Sequence, residues 1–268
     1  WWWIVAFLSI IFITNHALAV LILGVLSFLA FKEFFSLVPT RRADYKVLFW
    51  AYLAIPLQYY WAYVGWYGMF IIFIPVYCFI LLPMRMVLIG ETKGFLRATG
   101  TLHWGLMTTV FCLSHMAALL MLPHDQRLPY NGFTLLFYLM FLTQANDVAQ
   151  YIWGKSFGKH KVVPSVSPNK TYEGLIGGIV TTTVLAWVAA PWFTPIEGYA
   201  RWVIGPLLAV AGFIGDVVIS AVKRDLQLKD AGNLLPGHGG VLDRLDSLIV
   251  TAPLFFHVMY YLYYPVFR

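Results

Sequence analysis

The sequence predicts an all-α, polytopic membrane protein. Of its 268 residues, 60% are hydrophobic and 11% are charged, whereas about 25% of the residues of a soluble domain are charged. The chain therefore lacks the polar residues needed to cover a water-soluble surface. Apolar stretches of about 20 residues, the length with which a helix spans a bilayer, recur from one end of the chain to the other.

About nine of these stretches are predicted to be transmembrane helices. They run over residues 1–13, 16–37, 47–64, 66–82, 98–122, 131–150, 172–192, 200–223 and 243–264. We expect one membrane domain over 1–268, in which 1–130 form mainly scaffold helices and 131–268 carry the catalytic helices and cytoplasmic motif loops. Because the sequence begins at Trp1 rather than at a methionine, no targeting segment is assigned.

The distribution of basic residues predicts the orientation in the membrane. Of the 18 Lys and Arg residues, all but Arg127, Arg201 and Arg268 fall in one set of alternate connections between the predicted helices. Connections rich in Lys and Arg stay in the cytoplasm. We therefore predict a cytoplasmic N-terminus and a C-terminus on the outside.

Charge is concentrated in one window between the last two apolar stretches. Asp216, Ser220 and Lys223 are spaced to share one face of a helix. A glycine-rich loop follows, in which backbone N–H groups can approach a ligand, and Asp243 and Asp246 then share a face of the next helix. Carboxylates beside basic residues suit a polyphosphate bound with a divalent cation. A solvated loop between two membrane helices is the alternative, and it explains the charge but not the spacing.

This window resembles the signature of the phosphatidate cytidylyltransferases, also called CDP-diacylglycerol synthases. The resemblance implies transfer of the cytidylyl group of CTP to phosphatidate, which gives CDP-diacylglycerol and pyrophosphate for phospholipid synthesis. The matching residues are Ser220, Lys223, Arg224, Lys229, Asp230, Gly232, Leu235, Pro236, His238, Gly239, Gly240, Asp243, Arg244 and Asp246.

A second polar segment begins with Asp147, an acid inside a predicted span, which by default suggests function. The basic loop after it is also what a cytoplasmic connection requires, so topology alone explains its charge. Thr171 is typical of a helix start, where free N–H groups can bind an anion. The run Ser167, Pro168, Lys170, Thr171, Glu173, Gly174 is similar to a second motif of the same family, as is Asp147 followed by Tyr151 and Gly154. Gln150 departs from this pattern, because the family has an alanine there.

The resemblance implies a magnesium-dependent nucleotidyltransferase that works by positioning and charge neutralisation. Asp216 and Asp243 are the predicted Mg²⁺ ligands, with room for a second cation at the same site. The predicted catalytic residues are Ser220, Lys223, Arg224, Lys229 and Asp246. The predicted substrate-binding residues are Asp147, Ser167, Lys170, Thr171, Glu173, His238, Gly239, Gly240 and Arg244.

The expected partners are CTP, phosphatidate or a similar phospholipid, and the lipid bilayer; a homodimer is compatible with the sequence, and nucleic acid is not expected. We expect a bacterial inner-membrane protein whose site faces the cytoplasm. Two alternatives stay open. One is a related CTP-dependent lipid kinase or a cytidylyltransferase for another lipid. The other is a non-catalytic lipid-binding paralogue, which would need basic residues for phosphate but no metal-binding carboxylates.

Overall fold

The computed structural model describes residues 14–39, 45–90, 92–123, 130–228 and 240–263. These residues are almost entirely helical, as predicted. The helices are α1 (His16–Leu37), α2 (Tyr45–Tyr63), α3 (Tyr67–Val87), α4 (Phe95–Leu120), α5 (Gly132–Phe157), α6 (Tyr172–Phe193), α7 (Ala200–Asp225), α8 (Leu242–Leu245) and α9 (Leu248–Tyr263). A short hairpin of β1 (Lys161–Val163) and β2 (Ser167–Thr171) joins α5 to α6.

Six of the described segments are long and apolar enough to cross a membrane. They are α1, α3, α4, α6, α7 and the stretch Leu242–Tyr263, which contains α8 and α9. Helices α2 and α5 have 19 and 26 residues and occupy the positions of predicted spans, but they are not among the six. The span expected over 1–13 lies outside the described residues. The structure thus confirms an all-α membrane protein, while the count of nine and the sidedness of the termini stay predictions.

The chain forms two compact units. The first comprises residues 1–121 and 231–242, and the second comprises 122–230 and 243–268. Among the described residues, the first unit contains α1 to α4, and the second contains α5 to α7, the hairpin and α9.

Buried polar side chains join the helices of the first unit. The amide Nε2 of Gln58 in α2 donates to the Phe70 carbonyl of α3 at 3.0 Å and to Ser114 Oγ of α4 at 3.2 Å. A π-helical turn follows in α3 over Phe73–Cys78, where Pro75 has no N–H to offer to the helix ladder. Gln58 therefore donates a hydrogen bond to the backbone of α3 just before the π-helical turn.

Glu33 is a buried carboxylate in α1 that sequence reasoning did not single out. Its side chain is 2% exposed, and Oε2 accepts a hydrogen bond from the backbone N–H of Leu242 at 2.9 Å. Both residues belong to the first unit. The contact fixes the backbone at the residue that directly precedes Asp243.

Asn146 joins the three long helices of the second unit. It is fully buried in α5, its Nδ2 donates to the Ala209 carbonyl of α7 at 3.3 Å, and its Oδ1 accepts from Thr182 Oγ1 of α6 at 3.2 Å. A buried amide is stable only when its polar atoms are satisfied. This arrangement sets the helix positions one residue before Asp147.

Glycines let α5, α6 and α7 approach one another closely. A Cβ at Gly177 would collide with the Trp153 side chain, and one at Gly178 would collide with Cγ of Gln150. A Cβ at Gly215 would collide with the Asp246 carbonyl. Small residues at such contacts are typical of membrane helix packing, and here they bring acids from three segments towards one place.

Candidate active site

Three carboxylates from three segments of the second unit form an acidic group. Asp147 lies in α5, Asp216 in α7 and Asp246 directly after α8. Each interacts electrostatically with the other two. Because like charges at short range repel, this grouping is unfavourable unless cations or donors offset it. The sequence analysis singled out all three of these acids.

Ser247 connects two of these acids. Its Oγ lies 3.2 and 3.1 Å from the two carboxylate oxygens of Asp147, and its N–H donates to Asp246 Oδ1 at 2.8 Å. Ser247 is buried and was not among the predicted site residues. A serine at a helix start has many structural roles, so its sequence context carried no signal for this one.

Lys170 neutralises Asp216. Its Nζ lies 2.5 Å from Asp216 Oδ2, with side-chain exposures of 18% and 24%. Ser220 Oγ donates to Asp216 Oδ1 at 3.2 Å, as their spacing on one helix face predicted. Lys170 also lies over the ring of Phe213, 5.3 Å from its centroid, and 3.4 Å from Gln150 Oε1. The hairpin thereby places Lys170 beside Asp216 of α7.

A second lysine–aspartate pair lies at the end of the same helix. Lys223 Nζ donates to Asp243 Oδ1 at 2.7 Å, and the two side chains are only 16% and 13% exposed. The two carboxylates predicted to bind metal, Asp216 and Asp243, are thus each paired with a lysine. Each lysine neutralises the acid with which it is paired.

Arg224 and Glu173 both contact the backbone around the hairpin. Arg224 Nε donates to the Val166 carbonyl at 3.0 Å. Glu173 accepts hydrogen bonds from the N–H groups of Lys159 and His160 and lies 2.6 Å from the His160 ring. Thr171 caps α6 by accepting from the Gly174 N–H at 3.1 Å, which confirms the predicted helix start. The substrate contacts assigned to Arg224 and Glu173 stay predictions.

A cavity of about 500 Å³ lies in the second unit beside Lys170 and Asp216. Its wall combines three lysines (Lys155, Lys161 and Lys170) with two of the grouped acids. The size is within the range of small-molecule sites. The lining residues are Asp147, Gln150, Tyr151, Gly154, Lys155, Lys161, Ser167, Asn169, Lys170, Thr171, Gly174, Leu175 and Asp216. We call this space the hairpin cavity.

For the remaining predicted site residues, the structure describes the position in the fold at most. Lys229, His238 and Gly239 lie outside the described residues. Gly240 precedes α8 and belongs to the first unit, whereas Arg244 lies within α8. Their predicted contacts with substrate stay predictions.

The donor chemistry of the site fits Mg²⁺. Among the residues that the structure describes, no three His, Cys, Asp or Glu side chains are already gathered as a metal cluster. Mg²⁺ does not need such a cluster, because it is usually held by one or two carboxylates, water and substrate phosphates. The mutual repulsion of Asp147, Asp216 and Asp246 is what a divalent cation would relieve.

Comparison with known proteins identifies the family. The sequence model of the cytidylyltransferase family matches residues 1–262. An uncharacterized Escherichia coli protein, YnbB, is 43% identical over 264 residues, which cover 98% of this chain and 86% of that protein. The phosphatidate cytidylyltransferases of Haemophilus influenzae and Bacillus subtilis are 40% identical over 147 residues and 42% identical over 135 residues. These two matches cover 53% and 50% of this chain, and 51% and 50% of the relatives. The chain belongs to the cytidylyltransferase family.

Proposed function

We propose that the protein transfers the cytidylyl group of CTP to phosphatidate and releases pyrophosphate. The observation that carries the proposal is the hairpin cavity, where Lys155, Lys161 and Lys170 lie beside the acids Asp147 and Asp216. Lysines alone would serve a phosphate binder. Grouped carboxylates that repel one another are useful when a divalent cation and a polyphosphate are bound together.

The chemistry is an in-line displacement at the α-phosphorus of CTP. A phosphate oxygen of phosphatidate forms the new bond to this phosphorus while the bond to the bridging oxygen of the β-phosphate breaks. The electron pair leaves with pyrophosphate, and CDP-diacylglycerol remains. A lipid phosphate is already ionised at neutral pH, so the protein needs no strong base and contributes positioning and charge stabilisation.

In the two lysine–aspartate pairs, the acid and the lysine have different roles. Asp216 and Asp243 would hold Mg²⁺, with Asp147 and Asp246 beside Asp216. When bound, the ion supplies Lewis-acid activation and a template for the phosphates. Lys170 and Lys223, no longer needed to neutralise these acids, would donate to phosphate oxygens. Ser220 orients the Asp216 carboxylate through its hydrogen bond.

The proposal also includes the setting of the reaction. We place the site at the cytoplasmic face of a bacterial inner membrane, because phosphatidate arrives through the bilayer and CTP through the cytoplasm. The basic connections near the site support this orientation through the positive-inside rule.

The test uses CTP labelled at the α-phosphate and the purified protein in phosphatidate-containing nanodiscs with Mg²⁺. Labelled lipid together with released pyrophosphate supports the proposal. Labelled CDP in solution would instead identify a lipid kinase. Absence of both products, with CTP still bound, would identify a binding protein. Replacing phosphatidate by a polyprenyl phosphate separates a cytidylyltransferase for another lipid.

A further inference from the structure

Gln150 occupies an unusual place in the wall of the hairpin cavity. It lies on α5 three residues after Asp147, so both side chains lie on the same side of the helix. Only 5% of Gln150 is exposed, yet it lines the cavity.

The orientation of the amide follows from its neighbour. Oε1 of Gln150 lies 3.4 Å from Lys170 Nζ. An ammonium group has no acceptor, so the amide must present its oxygen to Lys170 and its N–H₂ group elsewhere. That nitrogen, Nε2, is buried and has no hydrogen-bond partner among the described residues. An unsatisfied buried donor is unfavourable unless a ligand supplies the acceptor.

The packing around Gln150 makes room for the long side chain. A Cβ at Gly178 would collide with Gln150 Cγ, and one at Gly174 would lie 2.8 Å from the Gln150 carbonyl. The glycines of α6 therefore leave space for the long Gln150 side chain. A shorter alanine side chain would not need this space. The side chain is held in the cavity wall and is not free to turn to solvent.

The chemistry of the ligand follows from the donors that lie together. The two polar atoms of the amide share one carbon, so Nε2 lies within the reach of a single small group bound by Lys170. An ammonium beside an amide N–H₂ suits a group with several adjacent anionic oxygens, which a phosphate monoester or polyphosphate provides. Both substrates of the proposed reaction carry such oxygens.

We propose that Gln150 is a specificity-determining residue whose Nε2 donates to a phosphoryl oxygen of the substrate that Lys170 binds. This inference rests on the proposed function only for the identity of the substrate. Its second role is to hold the Lys170 side chain through Oε1. A hydrogen bond to a charged acceptor is stronger than a neutral one, so its loss weakens binding measurably.

The test compares Gln150→Met, Gln150→Glu and Gln144→Met in nanodiscs. Methionine keeps the length and removes both polar atoms, whereas glutamate keeps an acceptor for Lys170 and removes the donor. Gln144 is the matched control, because it lies on the same helix, is half-buried and does not line the cavity. The KM and dissociation constant for CTP and for phosphatidate are measured separately.

Both Gln150 variants should raise KM for one substrate by about tenfold or more, with kcat nearly unchanged, because binding common to ground and transition states is lost. Which KM rises tells whether the phosphate belongs to the nucleotide or to the lipid. Wild-type binding of both substrates by Gln150→Met would overturn the inference, as would wild-type binding by Gln150→Glu. Lowered thermal stability without a binding change would show a structural role and also overturn it. If the wild-type protein makes no CDP-lipid, the proposed function fails, and the dissociation constants still decide the role of Gln150.

Discussion

Lys170 on the β-hairpin and Asp216 on α7 form an ion pair, with 2.5 Å between Nζ and Oδ2. The pair joins the two polar segments that the sequence analysis treated separately. It also places a basic residue of one segment on the metal-binding acid predicted for the other.

Asp216→Asn should abolish cytidylyl transfer and also destabilise the protein. Asparagine removes the charge that the bound ion needs, and it removes the carboxylate that forms the ion pair with the Lys170 ammonium, which is 18% exposed. We expect a loss of about 1–3 kcal/mol in stability, measured as thermal unfolding in detergent. The double variant Asp216→Asn with Lys170→Met should recover stability without activity. Near-normal turnover of Asp216→Asn at limiting Mg²⁺ would refute the metal assignment.

Ser247→Ala should raise the Mg²⁺ requirement of the reaction, an effect that the loss of a buried hydroxyl elsewhere should not produce. The hydroxyl lies within 3.2 Å of both Asp147 oxygens, and its loss removes the hydrogen-bonded link between that carboxylate and Asp246. We expect the concentration of Mg²⁺ needed for half-maximal activity to rise several-fold, roughly the effect of losing one hydrogen bond. Thr194→Ala, which removes another buried hydroxyl directly after the end of α6, is the control. Equal magnesium dependence in both variants would contradict the expectation.

Arg224→Lys distinguishes two roles for Arg224. One is a contact to a substrate phosphate, and the other is a tether, by which we mean the hydrogen bond that holds the hairpin. Lysine keeps the charge but not the Nε donor that reaches the Val166 carbonyl. If Arg224 acts as the tether, hydrogen exchange of the amides in 161–171 becomes faster and KM for CTP rises. If KM rises while hydrogen exchange stays at the wild-type rate, the phosphate contact predicted from the sequence is correct instead. Lys159→Ala, an exposed side chain outside the cavity, should leave both measurements unchanged.

Gly178→Ala should be destabilising, because the new methyl group collides with Gln150 Cγ. Overpacking of this kind costs about 1–3 kcal/mol. Combining it with Gln150→Ala removes the obstacle, so the double variant should unfold at a higher temperature than Gly178→Ala alone. The remaining approach to Asn146 Oδ1, 3.1 Å, limits the recovery. Additive effects of the two substitutions would contradict the packing described for α5 and α6.

Cysteine labelling at the two ends of α7 tests the orientation. In a background of Cys78→Ala and Cys112→Ala, Asp225→Cys should react only with reagent added from the cytoplasmic side. Tyr199→Cys, at the opposite end and 84% exposed, should react only from the outside. The reverse pattern would overturn the orientation predicted from the basic residues.

The sequence predicted local relationships well, because they depend on helix geometry alone. The positions of the helices followed from apolar length, and the contact between Ser220 and Asp216 followed from a spacing of four residues. Long-range contacts were missed, because they depend on how helices pack. The hydrogen bond between Ser247 and Asp147 joins residues 100 apart, and that between Arg224 and Val166 joins residues 58 apart. The hairpin was expected only as a basic loop, since Ser167–Thr171 contains a proline and lacks the alternating pattern of a strand.

The hydrogen bond from the Leu242 N–H to Glu33 has a consequence for synthesis. The two residues are 209 positions apart, so α1 is made long before Leu242 is added to the chain. At about 5–20 residues per second, the ribosome needs roughly 10–40 seconds to cover that distance. During this interval the Glu33 carboxylate lacks the Leu242 donor within an apolar helix. A nascent chain arrested before Leu242 should therefore be a better substrate for membrane quality-control proteases than the full chain, and Glu33→Leu should reduce that difference.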